Sequence, residues 1–190
     1  ASWPDKQTMI NQAVTGFFMV TVGVSVVGWG EMYISSGVAA IICSVMPVWT
    51  ILINLIVSKE ERPNWLIGLG LIIGLCGIII IFAEHLKEFS DQYYRLGISM
   101  TFLANICWAF GSVWAKKKNQ ASDPFLNAGL QMLFGGLLLI PFSLAFDDYS
   151  RIQWNNEVIF SLVYMILIGS VAAYACYSYA IKKLPMTIVS

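Results

Sequence analysis

Polar and aromatic side chains recur at helical spacing inside four long uncharged stretches of this sequence. In each stretch they fall on one helical face when about 100° is allowed per residue. Stretch by stretch they are Ser25 and Trp29, then Asn105, Trp108 and Ser112, then Asn127 and Gln131, and finally Ser170, Tyr174 and Tyr177. Amides and hydroxyls orient a ligand through hydrogen bonds, and aromatic rings offer apolar and cation-binding surface. The sequence therefore predicts that these residues line one central substrate cavity.

The same polar side chains have a second explanation, which is helix packing alone. Ser, Asn and Gln hydrogen-bond between neighbouring helices in many membrane proteins that bind nothing at those positions. For any single residue of the set, this packing role stays open. A cavity is favoured only for the set as a whole.

Residues for enzyme chemistry are scarce in this sequence. His85 is the only histidine, no uncharged stretch contains an acid, and neither HExxH nor GxSxG occurs. The cysteines lie singly in apolar sequence, without a CxxC pair, and are expected to pack in the interior; they are Cys43, Cys76, Cys107 and Cys176. We therefore predict neither an enzyme nor a bound metal or cofactor.

Composition places the elements that carry these residues in a lipid bilayer. The chain of 190 residues is 58% hydrophobic and only 12% charged, whereas soluble domains carry about 25% charged residues. Its uncharged runs cover residues 7–30, 32–58, 63–83, 96–115, 124–146 and 158–181. Each is long enough for a helix to cross a hydrocarbon core of about 30 Å. We predict an all-α polytopic membrane protein with six transmembrane helices, and the net charge of zero argues against a nucleic-acid partner.

Residues 33–81 form a helical hairpin with a distinctive order of motifs. The motifs are a small-residue opening at 35–40, Pro47 inside a helix, a turn at Glu61 and Arg62, and glycines at 68, 70, 74 and 77. The second half adds Trp-Ala-Phe-Gly at 108–111 and a segment from Tyr179 and Ala180 through Pro185 to Ser190. This combination resembles the drug/metabolite transporter superfamily, in particular its EamA-like transporter family. The resemblance covers nearly the whole chain.

The resemblance implies a fold of ten helices in two inverted repeats of five. Residues 1–84 would be helices three to five, residues 85–94 an external linker, and residues 95–190 helices six to eight. An internal alignment agrees with this plan, since a shift of 146 residues places Met19 on Met165, Gly23 on Gly169 and Ser44 on Ser190. The chain is then expected to be part of a longer transporter.

Three further features carry specific expectations. Pro47 should interrupt its helix and act as a hinge, because proline removes a backbone hydrogen bond. Glu31 is the acid nearest to a helix interior and the candidate for proton coupling, although an interfacial position is the alternative. Gly70 and Gly74 form a GxxxG motif expected to pack helices closely, within one protomer or across a homodimer.

Basic residues give the orientation. If successive helices alternate in direction, eight of the eleven Lys and Arg residues fall on one side, including Lys6, Lys182, Lys183 and the triplet 116–118. That side is predicted to be cytoplasmic. We predict a multi-pass protein of the bacterial inner membrane that exports small metabolites such as amino acids by alternating access. The alternatives are a transporter of another polar metabolite, such as a nucleotide sugar, and a membrane scaffold or assembly protein without transport activity.

Overall fold

Helices make up almost the whole of the chain. The structure is a computed structural model that describes residues 4–57, 65–84, 88–118, 123–149 and 152–189, and these ranges contain no strand. The helices are α1 (Lys6–Gly30), α2 (Ser36–Val57), α3 (Trp65–Glu84), α4 (Gln92–Lys118), α5 (Pro124–Phe146), α6 (Asn156–Lys183) and α7 (Met186–Val189). A 3-10 turn at Glu88–Ser90 precedes α4. The turn at Glu61 and Arg62 and the lone His85 lie outside the described residues.

Five helices, α1, α2, α4, α5 and α6, are long and apolar enough to cross a membrane. The third predicted span corresponds to α3, which has 20 residues; its apolar stretch Trp65–Ile80 is shorter than the other five. An all-α, multi-pass membrane protein is thereby confirmed.

Polar side chains define where several helices begin. Asp5 accepts a hydrogen bond from the Thr8 backbone N–H at the start of α1, and its carboxylate also binds the Thr8 hydroxyl. That hydroxyl holds the pKa of Asp5 below its ordinary value. Asp123 caps α5 in the same way, directly before Pro124, and Asn155 caps α6. These caps satisfy the free N–H groups of the first turns and fix the helix boundaries.

Helix α1 lies at the centre of the bundle, between α4 and α5. Its middle, Phe17–Val24, is π-helical. Helix α2 packs along the other side of α4, and α6 reaches the bundle mainly through its last part, Ala173–Lys183. No residue of Asn156–Ala172 is buried. The polar and aromatic residues of α1, α4, α5 and the end of α6 are thus the ones that can meet.

Apolar clusters close the bundle at different depths. On the predicted external side, Val38, Ala39 and Ile42 of α2 and Ile34 just before it form a cluster with Tyr94 and Ile98 of α4. On the predicted cytoplasmic side, Val113, Ile181 and Met186 join α4, α6 and α7, with Ile53 and Val57 of α2 against them. The ends of four helices therefore pack together on the predicted cytoplasmic side.

Two lysines of the triplet 116–118 strengthen this packing. The Lys116 ammonium group donates to the Leu184 carbonyl at 2.5 Å, just past the end of α6. The Lys117 ammonium group donates to the Val57 carbonyl at 2.6 Å, at the end of α2. Cations stabilise helix C-termini, where carbonyl groups lack partners. Lys116 and Lys117 therefore also link the ends of three helices on the predicted cytoplasmic side.

Candidate functional site

A very close crossing of α1 and α5 positions the candidate site. A Cβ atom added at Gly16 would lie 2.3 Å from the Gln131 carbonyl oxygen, and one at Gly135 would lie 2.8 Å from the Gly16 carbonyl oxygen. Only glycine permits this approach at both positions. The Thr21 hydroxyl also donates to the Gly135 carbonyl at 2.8 Å. Side chains one turn away on each helix are thereby brought into hydrogen-bonding distance.

A chain of buried amides follows directly from this crossing. The Gln12 amide donates to the Asn127 side-chain oxygen at 2.7 Å, and the Gln131 amide donates to the Gln12 side-chain oxygen at 2.6 Å. The Tyr174 hydroxyl of α6 donates to the Gln131 side-chain oxygen at 2.8 Å. All four residues are buried, and Gln12 is fully so. We call these four residues the polar core.

An aromatic group extends the polar core onto α4. The Ser112 hydroxyl lies 2.8 Å from the Tyr177 hydroxyl, and the Trp108 indole N–H donates to that same Tyr177 oxygen at 3.4 Å. The rings of Trp108 and Tyr174 meet edge to face at 6.2 Å. Six of the ten predicted cavity residues are therefore joined in one connected group across α4, α5 and α6.

The polar core is neutral and hydrogen-bonded throughout. Among the described residues, no group of three or more His, Cys, Asp or Glu could hold a metal ion. Amides and hydroxyls in an apolar surrounding can exchange partners with a polar ligand, and they also fix helix positions. The chemistry available here is hydrogen bonding with both donors and acceptors, without a group that stores charge.

Asn105 belongs to a different feature, the interruption of α2. The helix stops after Cys43 and resumes at Met46, with Pro47 as the second residue of the new segment. The Asn105 amide donates to the Ile42 carbonyl at 2.8 Å, immediately before the break. The predicted interruption at Pro47 is thus present, and α4 supports it with a buried amide. Whether it acts as a hinge stays a prediction.

Ser25 and Trp29 line a separate space, which we call the outer cavity. It has a volume of about 570 Å³ and lies between α1 and α5, bounded further by Phe17, Phe146 and Asp147. It runs from the middle of α1 to the predicted external ends of both helices. Among the described residues, Ser25 and Trp29 thus line a different space from the polar core, and a single substrate cavity lined by all ten residues stays a prediction.

The remaining predicted residues lie apart from both features. Ser170 is half-buried in the segment of α6 that projects from the bundle. Glu31 is exposed just after the end of α1, so the burial that proton coupling would require is not provided by the described residues. Cβ atoms added at Gly70 or Gly74 would meet nothing within 4 Å. Proton coupling and a homodimer through this face stay predictions.

Comparison with known families shows which family the chain belongs to. The model of the EamA-like transporter family matches residues 1–83 and 95–190, which together make up nearly the whole chain. The chain belongs to the EamA-like transporter family. The resemblance seen in the sequence is thereby confirmed.

Relatives in this family occur in bacteria and plants. The chain is 25% identical over 182 residues to the uncharacterized inner membrane transporter YedA of Escherichia coli strain K12, covering 95% of this chain and 57% of YedA. It is 23% identical over 142 residues to the uncharacterized transporter YoaV of Bacillus subtilis, covering 75% of this chain and 48% of YoaV. A chloroplastic WAT1-related protein of Arabidopsis thaliana, At3g02690, is 27% identical over 128 residues, covering 64% of this chain and 30% of the plant protein.

The chain spans about half the length of the bacterial relatives that it matches. No solved structure matches it.

Two residues of the site in this EamA-like chain were missed by the sequence reasoning. Gln12 is central to the polar core, and the Met19 sulfur lies 3.7 Å from the Tyr174 hydroxyl. They are seven residues apart and so share one face of α1. This face contacts the polar core, whereas Ser25 and Trp29 line the outer cavity. An amide at 12 within an uncharged run was the available signal.

Proposed function

We propose that the protein is a secondary transporter of the bacterial inner membrane that exports small metabolites such as amino acids. Transport would proceed by alternating access around a midplane cavity, within a fold of ten helices built from two inverted repeats. Membership of a transporter family supports the general function. The single observation that carries the proposal is the polar core, which places hydrogen-bonding groups of three helices at one point in an apolar bundle.

The cost of burying these groups is the reason to connect them with transport. Moving an amide or hydroxyl out of water costs free energy, and in lipid such groups are retained at interfaces between helices or along substrate paths. A purely structural contact between α1 and α5 is already supplied by the glycine crossing. Additional amides at the same crossing are therefore more than packing requires.

Local backbone geometry supports an internal repeat. Helix α1 is π-helical at Phe17–Val24 and α6 is π-helical at Met165–Ala172. The aligned pairs Met19 with Met165 and Gly23 with Gly169 fall inside these two segments. Two separate matches of one family model are also what a duplicated unit produces. Helices in opposite orientation with like geometry are typical of inverted-repeat transporters.

Alternating access requires that one side be closed while the other is accessible. The cytoplasmic cluster of Val113, Ile181 and Met186, together with the two lysine contacts, fits a closed cytoplasmic side. The outer cavity fits an accessible external side. The arrangement is compatible with an outward-facing state of the transport cycle.

The decisive experiment is transport by the full-length protein in proteoliposomes. Vesicles would be loaded with unlabelled L-threonine, L-tryptophan or UDP-glucose, and entry of the same radiolabelled compound would be followed. We expect counterflow of an amino acid that Gln131→Leu reduces at least tenfold while the size-exclusion profile stays unchanged. Counterflow of UDP-glucose alone would overturn the amino-acid assignment.

The scaffold alternative makes the opposite prediction for the same variants. Absence of counterflow for all three compounds, with Gln131→Leu and Trp108→Leu changing only thermal stability, would favour a packing role for the polar core. Tyr179→Phe is the matched control, because Tyr179 is exposed on α6. It should change neither transport nor stability.

A further inference from the structure

The outer cavity differs in chemistry from the polar core. Its walls are mostly apolar and aromatic, with Phe17 near the middle of α1 and with Trp29 and Phe146 near the predicted external end. Among the described residues that line it, Asp147 is the only ionisable one. A space of about 570 Å³ suits a small organic molecule.

The aromatic rings at the mouth are well placed to contact a ligand. Trp29 and Phe146 meet edge to face, with ring centroids 5.7 Å apart. Trp29 remains 40% exposed and Phe146 65% exposed, although both line the cavity. An aromatic face attracts an ammonium group within about 6 Å of its centre, and it also offers apolar surface to a flat molecule.

The carboxylate at the same mouth is held by local hydrogen bonds. The Ser143 hydroxyl, one turn earlier on α5, hydrogen-bonds to the Asp147 carboxylate and lies 2.6 Å from the Tyr149 hydroxyl. The backbone N–H of Asp147 donates to the Ser143 carbonyl at 2.9 Å. These contacts fix the position of the carboxylate at the rim of the cavity, where Asp147 is exposed to solvent.

The charge at this mouth is negative for two reasons that reinforce each other. Asp147 directly follows the last residue of α5, so its carboxylate lies at the negative end of that helix dipole. A negative rim attracts cations and repels anions before any contact is made.

We infer that the outer cavity binds an amphipathic amine, with the ammonium group between Asp147 and the ring faces of Trp29 and Phe146. The apolar part of the amine lies deeper, towards Phe17. This inference rests on the proposed function, because it specifies the substrate class that a transporter with this vestibule would take from or deliver to the external side. A lipid acyl chain would use the same apolar walls but has no use for the carboxylate.

Three indole compounds of nearly equal shape test the charge preference. Tryptamine is a cation, tryptophol is neutral and indole-3-propionate is an anion at neutral pH. Binding of each to the full-length protein in lipid nanodiscs would be measured by equilibrium dialysis with the tritiated compound. We expect tryptamine to bind about tenfold more tightly than tryptophol, and indole-3-propionate to bind least. Equal binding of tryptamine and tryptophol would overturn the inference and indicate an apolar or lipid site.

A neighbouring carboxylate supplies the matched control. Asp147→Asn should remove the preference for tryptamine over tryptophol, whereas Asp148→Asn should retain it, because Asp148 does not line the cavity. Trp29→Leu should weaken tryptamine binding severalfold while leaving the elution volume of the protein unchanged. If the variants at 147 and 148 lose the preference equally, a general surface potential explains the binding and the inference is wrong.

Failure of this inference can be told apart from failure of the proposed function. If binding is charge-selective and depends on Asp147 but no compound shows counterflow, the amine site is supported and the transport proposal is wrong. If amino acids show counterflow that Asp147→Asn does not change, and the three indoles bind equally, the transport proposal is supported and the amine site is wrong. Asp147→Ser serves as a second variant if Asp147→Asn fails to accumulate in the membrane.

Discussion

Removing Gln131 from the polar core should destabilise the bundle through two identified contacts. Its side-chain amide donates to Gln12, and its side-chain oxygen accepts from the Tyr174 hydroxyl, at 2.6 and 2.8 Å. Gln131 is only 3% exposed and Tyr174 only 6%. Gln131→Leu keeps a similar volume but leaves the Gln12 oxygen and the Tyr174 hydroxyl without these partners.

The expected magnitudes follow from these contacts. Interhelical hydrogen bonds in membrane proteins average about 0.6 kcal/mol and reach about 1.7 kcal/mol, and a buried group left unsatisfied costs about 1–3 kcal/mol. Gln131→Leu breaks two bonds and should lower the free energy of unfolding by about 1–3 kcal/mol. Tyr174→Phe breaks one bond to Gln131 and should cost about 0.6–1.7 kcal/mol. The double variant should lose less free energy of unfolding than the two single variants added together, by about 0.6 kcal/mol or more. The reason is that Tyr174→Phe removes the hydroxyl that Gln131→Leu alone would leave without a partner.

The measurement is equilibrium unfolding of the full-length protein by SDS in mixed micelles, followed by circular dichroism. The wild type, the two single variants and the double variant form a double-mutant cycle. Tyr179→Phe is the control, because it removes a hydroxyl elsewhere on the same helix. Costs of Gln131→Leu and Tyr174→Phe that add within about 0.3 kcal/mol would refute the contact between them. If Tyr179→Phe lowers the free energy of unfolding as much as Tyr174→Phe does, the assignment of Tyr174 to the polar core is wrong.

Three further predictions concern other parts of the fold. Gly16→Ala should lower the free energy of unfolding by about 1–3 kcal/mol because its Cβ would overlap α5. Gly28→Ala, with open space around its Cβ, should not lower the stability in a thermal unfolding assay, because alanine is the better helix former. Pro47→Ala should change the stability of α2 by much less than the ~3 kcal/mol of a proline in a helix interior, because Pro47 lies in the first turn of the segment that begins at Met46. It should nevertheless slow counterflow, and an unchanged transport rate would remove the hinge role. Lys117→Gln should speed hydrogen exchange at the end of α2, because it removes the contact with the Val57 carbonyl. Lys118→Gln should not, because the Lys118 ammonium group lies over a tryptophan ring instead.

Properties that depend on one helix at a time could be read from the sequence. Uncharged runs gave the membrane helices because hydropathy and length are local quantities. The break before Pro47 was predicted because proline lacks the N–H that its own helix needs. Helical spacing also grouped Trp108 with Ser112 correctly, and these two residues do share the contact with Tyr177.

Properties that depend on which helices are neighbours could not be read in the same way. Gly70 and Gly74 form the evident packing motif, yet the closest crossing uses Gly16 and Gly135, which lie singly on different helices. A GxxxG motif is visible within one helix, whereas a pair of isolated glycines becomes a motif only after the helices meet. Gln12 was missed for the same reason, since its partners are on α5.

The hydrogen bond between Gln12 and Asn127 has a consequence for how the protein is made. These residues are 115 positions apart in the chain, so α1 leaves the ribosome well before its partner exists. At a synthesis rate of about 5–20 residues per second, the delay is roughly 6–23 s. During that time the Gln12 amide, which is fully buried in the finished protein, has to be accommodated by water at the membrane surface or by the insertion machinery. Membrane integration of α1 should therefore be completed only when α5 arrives.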